Sequence, residues 1–430
     1  MLEWAVIADD LTGAADTGVQ FLPVCAPVFL VDHRRLDAVA LRAAAPAALT
    51  VFTNSRALPA GDAHRAAAAA GRAIRRLGPA RIYKKIDSAL RGNIGTELEG
   101  VMEALELPLS FIAPAFPDQG RTTVGGIHCI HGVPVAEGEM GRDPVTPVTD
   151  SSLPRWIGGQ AAWPLGHVPL GTIEQGAAAV AREVERLQAG GVRHVCFDAT
   201  APAHLELIAR LALERFPGAL LCGSAGLAQR LVACLRQDHG FETPGGPPGV
   251  ALGDGGLLFV CGSASKSLRA QAERLVDRCG LARAALPPDA LVGRAPWPEA
   301  AVAAAAETIG RGDLVLQVSP FDADATGIAP HEVMSGLARF VEAVARGART
   351  AGMFLSGGDT ALAVMERLEV AALRLEREPA GGLGCGVLCG GPLSGIPVFT
   401  KAGSFGGPET LVELYRLLRP SAARGVQGAL

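Results

Sequence analysis

At the start of the chain, short apolar runs alternate with longer amphipathic stretches. Trp4–Ala8, Val28–Val31, Leu49–Thr53, Arg81–Lys85 and Leu109–Ala113 read as strands, with helices at Thr12–Gln20, Ala60–Leu77 and Gly95–Leu105. Strands and helices alternating at this spacing predict βαβ units around a parallel sheet. The period then breaks. Thr122–Val135 reads as a β-hairpin turning at His131-Gly132, followed by an ordered Pro-rich loop over Arg142–Pro154. The alternation resumes with helices at Ala177–Gln188, Ala203–Phe216 and Leu227–Leu235 and strands at His194–Phe197 and Ala219–Cys222.

Glu242–Gly256 is dense in Gly and Pro and is the best linker in the chain. Beyond it, Leu257–Cys261, Leu314–Val318, Met353–Leu355 and Pro397–Thr400 read as strands. Helices are expected at Lys266–Cys279, Pro298–Gly310, His331–Ala345, Thr360–Leu368 and Glu409–Leu418. The fold class is therefore α/β in two domains, 1–245 and 246–430. Each is a largely parallel sheet flanked by helices, with a β-hairpin insertion in the first.

Composition sharpens this picture. A length of 430 residues with 49% hydrophobic and 19% charged content suits two packed cores and argues against disorder. The net charge of −4 offers no global field for nucleic acid or a membrane surface. No apolar run approaches a membrane span, and the N-terminus lacks the features of a signal peptide. The 9 cysteines are scattered without a CxxC pair, which suggests free thiols and a cytoplasmic protein. His128 and His131 fall on opposite faces of a strand, so they read as hairpin residues and the metal ligands stay unknown.

Candidate chemistry collects where strands end, the edge at which open α/β sheets bind ligands. Asp9 and Asp10 follow the first strand and can accept a hydroxyl proton, hold a cation or cap the next helix. Arg56 follows the strand ending at Thr53. Lys84, Lys85, Asp87, Ser88 and Arg91 fall at and beyond the end of the strand Arg81–Lys85. Several cations on one edge suit a carboxylate or phosphate; alternation lets only one of the two lysines face it. The only lysines are Lys84, Lys85, Lys266 and Lys401, and the only asparagines Asn54 and Asn93. All lie in or beside these strand-end segments.

The second half offers three Gly-rich strand-end turns. They contain Ser263 and Ser265, then Ser356, Gly357, Gly358, Asp359 and Thr360, then Lys401 and Gly403. Such turns present backbone amides and hydroxyls to phosphate oxygens. Neither GxxxxGK[ST] nor GxGxxG is present, so this is neither a Walker loop nor a dinucleotide fingerprint.

The segments ADDLTGAADTG, YKKIDSALRGNIGTELEG, APAFPDQGRTTVGG, RDPVTPVTDS, CGSAS, SGGDTA and TKAGSFG occur in this order over roughly residues 4–418. In this they resemble the four-carbon acid sugar kinase family. The resemblance implies an N-terminal sugar-acid-binding domain, a C-terminal nucleotide-binding domain, and phosphorylation of the terminal hydroxyl of a tetronate or 3-oxo-tetronate from ATP with Mg²⁺. It places substrate contacts at Asp10, Arg56 and Lys85–Ser88, and ATP contacts at Ser263, Ser356–Asp359 and Gly403. Asp9, Asp10 and Asp87 are the candidate bases. The expected ligands are a sugar acid and ATP, with a homo-oligomer left open. A nucleotide-dependent dehydrogenase and a non-catalytic sugar-acid sensor are the alternatives.

Overall fold

The computed structural model describes residues 2–36, 45–143, 145–239, 251–262, 265–295, 299–320, 326–376, 383–401 and 406–420. Its contacts divide the chain into two compact units, Met1–Gly245 and Gly246–Leu430. Most of the expected linker, 242–250, lies outside the described residues.

The strands of the first unit are β1 (Trp4–Ala8), β2 (Val28–Asp32), β3 (Ala48–Phe52), β4 (Arg81–Lys85), β5 (Leu109–Ala113), β6 (Arg121–Val124), β7 (Ile127–Ile130), β8 (Val133–Pro134), β9 (Leu165–Val168), β10 (His194–Phe197) and β11 (Ala219–Gly223). Its main sheet runs β2-β3-β1-β4-β11-β5-β10-β9, with every neighbouring pair parallel. All residues of β1, β2, β3, β5 and β10 are buried, as expected of a parallel sheet covered on both faces. Strand β9 escaped the sequence reading because Leu165–Val168 is short and carries Gly166.

The Ala-rich helix Ala60–Leu77 owes its composition to close packing on helix Ile94–Leu105. A Cβ at Gly71 would sit 2.8 Å from the Ala104 Cβ, and one at Gly100 2.6 Å from the His64 carbonyl oxygen. Gly78, at φ 65°, ends the helix in the left-handed conformation.

The hairpin needs a correction. β6 and β7 turn at Gly125-Gly126 (φ 58° and 75°), and β7 turns again at His131-Gly132 (φ 50° and 79°) into β8. The predicted turn is thus the second of a three-stranded meander. The first is held from outside by Asp198. Its carboxylate accepts the amides of Gly125 (2.6 Å), Gly126 (2.9 Å) and Leu170 (2.9 Å) and faces His167 Nε2 at 2.8 Å. Burial would raise this acid, but His167 and the amides outweigh it and hold Asp198 below the usual carboxylate range.

The second unit comprises β12 (Gly256–Cys261), β13 (Ala282–Leu286), β14 (Leu314–Val318), β15 (Thr350–Ser356), β16 (Ala372–Glu376), β17 (Leu383–Cys389) and β18 (Pro397–Lys401). β13-β14-β12-β15-β18 are parallel, and β17 and β16 extend them antiparallel. Phe259, Phe354, Phe399, Val315, Leu411 and Tyr415 anchor its core. β13, β16 and β17 were not foreseen. β13 is largely exposed, and β17 is interrupted by Gly384 and Gly386. Gly386 has a packing reason, since a Cβ there would stand 2.6 Å from Leu373 Cγ. Among the described residues no helix is long and apolar enough to cross a membrane.

Candidate active site

Three adjacent parallel strands of the first unit end level with one another, Ala8 being paired with Phe52 on one side and Lys85 on the other. The residues that follow them therefore share one edge. Arg56 reaches both aspartates there: its Nε donates to Asp9 Oδ2 at 2.6 Å and its Nη2 to Asp10 Oδ1 at 2.8 Å. One planar guanidinium thus bridges the two neighbouring carboxylates. Asp10 is also a helix cap, accepting the Gly13 amide at 3.0 Å and the Thr12 hydroxyl. The cap does not consume all of the carboxylate, which also accepts Arg56 Nη2. Burial would raise Asp10, while Arg56, Lys85 and Thr12 together hold it below its ordinary value and keep it ionised at neutral pH. Asp9 retains one buried oxygen, Oδ1, without a hydrogen-bond partner.

The two lysines separate as strand alternation requires. Lys84 is fully buried and donates to Glu97 Oε2 at 2.8 Å, while Ser55 Oγ donates to Glu97 Oε1 at 2.8 Å. Burial would lower the Lys84 ammonium, but Glu97 and Asp9 outweigh it and raise it. Lys84 is thus an internal strut, away from the position a substrate contact needs. Lys85 crosses the first turn of helix Leu11–Gly18, where a Cβ on Gly13 would lie 2.8 Å from its Nζ. Lys85 forms no ion pair among the described residues, although its charge reaches Asp10, Asp16 and Asp87.

The turn after β4 carries Asp87, Ser88 and Arg91. Arg91 Nε donates to Asp87 Oδ2 at 2.8 Å, and its Nη1 approaches Asp143 at 3.5 Å. Against burial, Arg91, Arg56 and Lys85 hold Asp87 well below the carboxylate range. The Ser88 carbonyl is 2.9 Å from His128 Nε2, and the Leu90 carbonyl accepts Trp156 Nε1 at 2.8 Å, so the meander and helix Leu153–Gly158 brace this turn.

Sequence reasoning missed Glu97, Thr12, Asp143 and Arg121. Glu97 had left a signal. It lies in the apolar stripe Ile94, Leu98 and Val101 of a helix, where an acid requires a buried partner.

In the second unit the three turns follow three adjacent parallel strands, with Cys261 paired to Ser356 and Ser356 to Lys401. Gly357 stands at φ 100°, and its amide donates to the Lys401 carbonyl at 2.9 Å. A Cβ at Gly262 would meet Thr360 Oγ1 at 2.4 Å, so the first two turns touch. Among the described residues helix Gly358–Arg367 has no side-chain cap, and the amides of its first turn are of the kind that bind anions. Ser356 Oγ is buried without a hydrogen-bond partner among the described residues, and Asp359 is exposed at the helix start. Thr360 points inward instead, with its hydroxyl 3.4 Å from Met334 Sδ. Burial pulls the Lys401 ammonium down to about 8. Ser265 caps helix Lys266–Cys279 by position; Ser263 and Gly403 lie outside the described residues. Among the described residues no group of three His, Cys, Asp or Glu is placed to hold a metal. The exposed Asp359 carboxylate beside uncapped amides fits Mg²⁺ as that ion is held with nucleotides, by one or two carboxylates and substrate phosphates.

Residues 4–231 match a family model described as a sugar-binding N-terminal domain, and 258–411 one described as a nucleotide-binding C-terminal domain. The chain is 31% identical to the D-threonate kinase of Salmonella typhimurium, covering 96% of this chain and 97% of that one. It is 32% identical to the 3-oxo-tetronate kinase of Cupriavidus necator, with 96% of each covered. It is 28% identical to the D-erythronate kinase of Heliobacterium modesticaldum, with 94% of each covered. The fold is shared with Haemophilus influenzae protein HI1011 (TM-score 0.71, 22% identity, 96% of this chain and 100% of that one). A solved chain from Salmonella typhimurium LT2 shares it too (TM-score 0.76, 24% identity, 97% and 99%). The chain belongs to the four-carbon acid sugar kinase family, and the three relatives named here are kinases.

Proposed function

We propose that this protein phosphorylates the terminal (4-) hydroxyl of a four-carbon sugar acid, such as threonate, erythronate or 3-oxo-tetronate, with ATP as donor. The unit 1–245 binds the acid and the unit 246–430 the nucleotide. The observation that carries this reading is Lys85, a buried lysine with no ion pair among the described residues, at the strand edge where Asp10 and Arg56 meet. A buried charge without a partner is costly unless a ligand supplies one, and an acid does.

Arg56 donates through Nε and Nη2 to the aspartates and keeps Nη1 for the substrate. Asp10, ionised beside Arg56 and Lys85, accepts the proton of the attacking hydroxyl as the phosphoryl group is transferred in line. Asp87, bound by Arg91, orients the turn that carries Ser88. In the second unit the uncapped amides from Gly358 onward, Ser356 and Lys401 hold the phosphates, and Asp359 is the residue that would hold Mg²⁺, which supplies charge neutralisation when bound. The nine cysteines are all free thiols, which supports the cytoplasm as the setting.

A coupled ADP-release assay with ATP against D- and L-threonate, D-erythronate and a 3-oxo-tetronate tests the proposal. Turnover with at least one acid is expected. ADP release with none of them would remove the reading.

A further inference from the structure

The cations of the acid site are unevenly compensated. Arg56 is held by Asp9 and Asp10, Lys84 by Glu97, and Arg91 by Asp87 and Asp143. Two remain without an ion pair among the described residues, Lys85 and Arg121. Arg121 opens β6, and its Nε is buried with no hydrogen-bond partner among the described residues. A buried donor left unsatisfied is unfavourable, and few persist without a ligand or water to meet them.

The meander sets where this side chain goes. In an antiparallel pair, directly opposed residues share a face, as do residues two apart. Thr123 is opposed to His128, and their side chains meet at 3.0 Å. His128 Nε2 lies 2.9 Å from the Ser88 carbonyl. The face bearing Thr123 and His128 is therefore the one turned onto the Asp87–Ser88 turn, and Arg121 lies two residues from Thr123 on that face. Its surroundings agree, since Asp87, Arg91 and Asp16 all act on its charge. Lys85 acts on the same two aspartates. Burial pushes Asp16 above its ordinary carboxylate value.

We infer that Arg121 is a substrate-binding residue: its guanidinium, delivered by the meander, takes the carboxylate of the four-carbon acid together with the Lys85 ammonium. A guanidinium fork matches a carboxylate in two parallel hydrogen bonds, which an ammonium cannot do. The arrangement makes the acid group, rather than the polyol chain, the recognised feature. Neutral four-carbon polyols are then disfavoured because they would leave the Lys85 ammonium and the buried Arg121 Nε without an anionic partner. The inference rests on the sugar-acid reading of this site.

The test is calorimetric titration of D-threonate, without nucleotide, into the wild-type chain and into Arg121→Gln and Arg121→Lys, beside kinetics with D-threonate and with threitol. Arg121→Gln is expected to bind D-threonate about 10- to 100-fold more weakly. Its Michaelis constant for ATP should stay within twofold, and the preference for D-threonate over threitol should fall by the same factor as the affinity. Arg121→Lys, which keeps the charge and loses the fork, should fall between the two; it carries the test if the Gln variant does not fold. Affinity within twofold of wild type in the folded variants overturns the inference, as does an equal loss toward threonate and threitol. A wild-type chain that binds the acid without phosphorylating it refutes the kinase reading and leaves the Arg121 comparison intact. A chain that neither binds nor phosphorylates the acids refutes both.

Discussion

The strand edges of the two units are built from different materials. In the first unit, acidic and basic side chains dominate: Asp9, Asp10, Arg56, Lys85, Asp87 and Arg91 stand at three adjacent strand ends. In the second, the corresponding edge is glycine turns and uncapped amides, with Lys401 as the described strand-end lysine. A small acid offers few atoms, so fixed charges must read its carboxylate and hydroxyls individually. A polyphosphate is held by converging backbone dipoles, which need close approach more than side-chain identity. The first edge should therefore be sensitive to side-chain chemistry, and the second to backbone conformation.

The strongest challenge to this contrast is Asp10→Asn. Asn caps a helix nearly as well as Asp, so stability should change by less than ~1 kcal/mol. Loss of the proton acceptor should lower kcat about 10²–10⁴-fold, with ATP affinity within a few-fold. Steady-state kinetics with parallel melting curves decide it, and near-normal turnover would reduce Asp10 to a cap. Next is the pair Lys84→Met and Lys85→Met. Stranding Glu97 in the interior should cost about 3–5 kcal/mol in urea unfolding. Lys85→Met should unfold near the wild-type midpoint while losing affinity for the acid. Equal unfolding midpoints for the two would erase the division between strut and ligand.

Gly357→Ala tests the other edge. At φ 100° an alanine is strained, at a cost of about 1–3 kcal/mol, equivalent to roughly 5- to 150-fold in ATP affinity. Calorimetry should find acid binding unchanged in the same protein; parallel loss of both ligands would contradict the assignment. Arg56→Lys should raise the Michaelis constant for the acid about tenfold, because a point charge replaces a fork that holds two aspartates.

The smallest effect expected is in pH. Burial lowers the Lys401 ammonium to about 8, below its unfolded value, so between the two values the unfolded chain binds more protons and stability rises with pH. A bound polyphosphate favours the protonated form. ATP affinity should decline a few-fold as pH rises through about 8, and Lys401→Met should flatten that decline. A pH-independent wild type would detach Lys401 from the phosphates.

These contrasts bear on what could be read without coordinates. The parallel α/β units were legible because their buried strands are unbroken apolar runs. β16 and β17 were not, since Gly384 and Gly386 hide a strand whose packing depends on Leu373. The split between Lys84 and Lys85 followed from alternation alone, but which lysine faces inward depended on Glu97, a helix away. Arg121 was beyond reach, because its placement needs a return at Gly125-Gly126 that is fixed by Asp198, 72 residues further on.

The strand order of the first unit also constrains how the chain can be assembled. β11 lies between β4 and β5, hydrogen-bonded to both, and Tyr83 in β4 donates to the Ser224 carbonyl just past β11 at 2.6 Å. During synthesis from the N-terminus, β4 and β5 are both made long before β11 and have no direct pairing with each other. The half-sheet β2-β3-β1-β4 and the half-sheet β5-β10-β9 thus wait as separate open edges until residues 219–223 arrive to close the seam. Such late, long-range closure slows folding and leaves two unpaired strand edges exposed to other chains in the meantime. A nascent or truncated chain ending before β11 would be a natural client for chaperones, even though Asp9, Asp10, Arg56, Lys85, Asp87 and Arg91 have already been made.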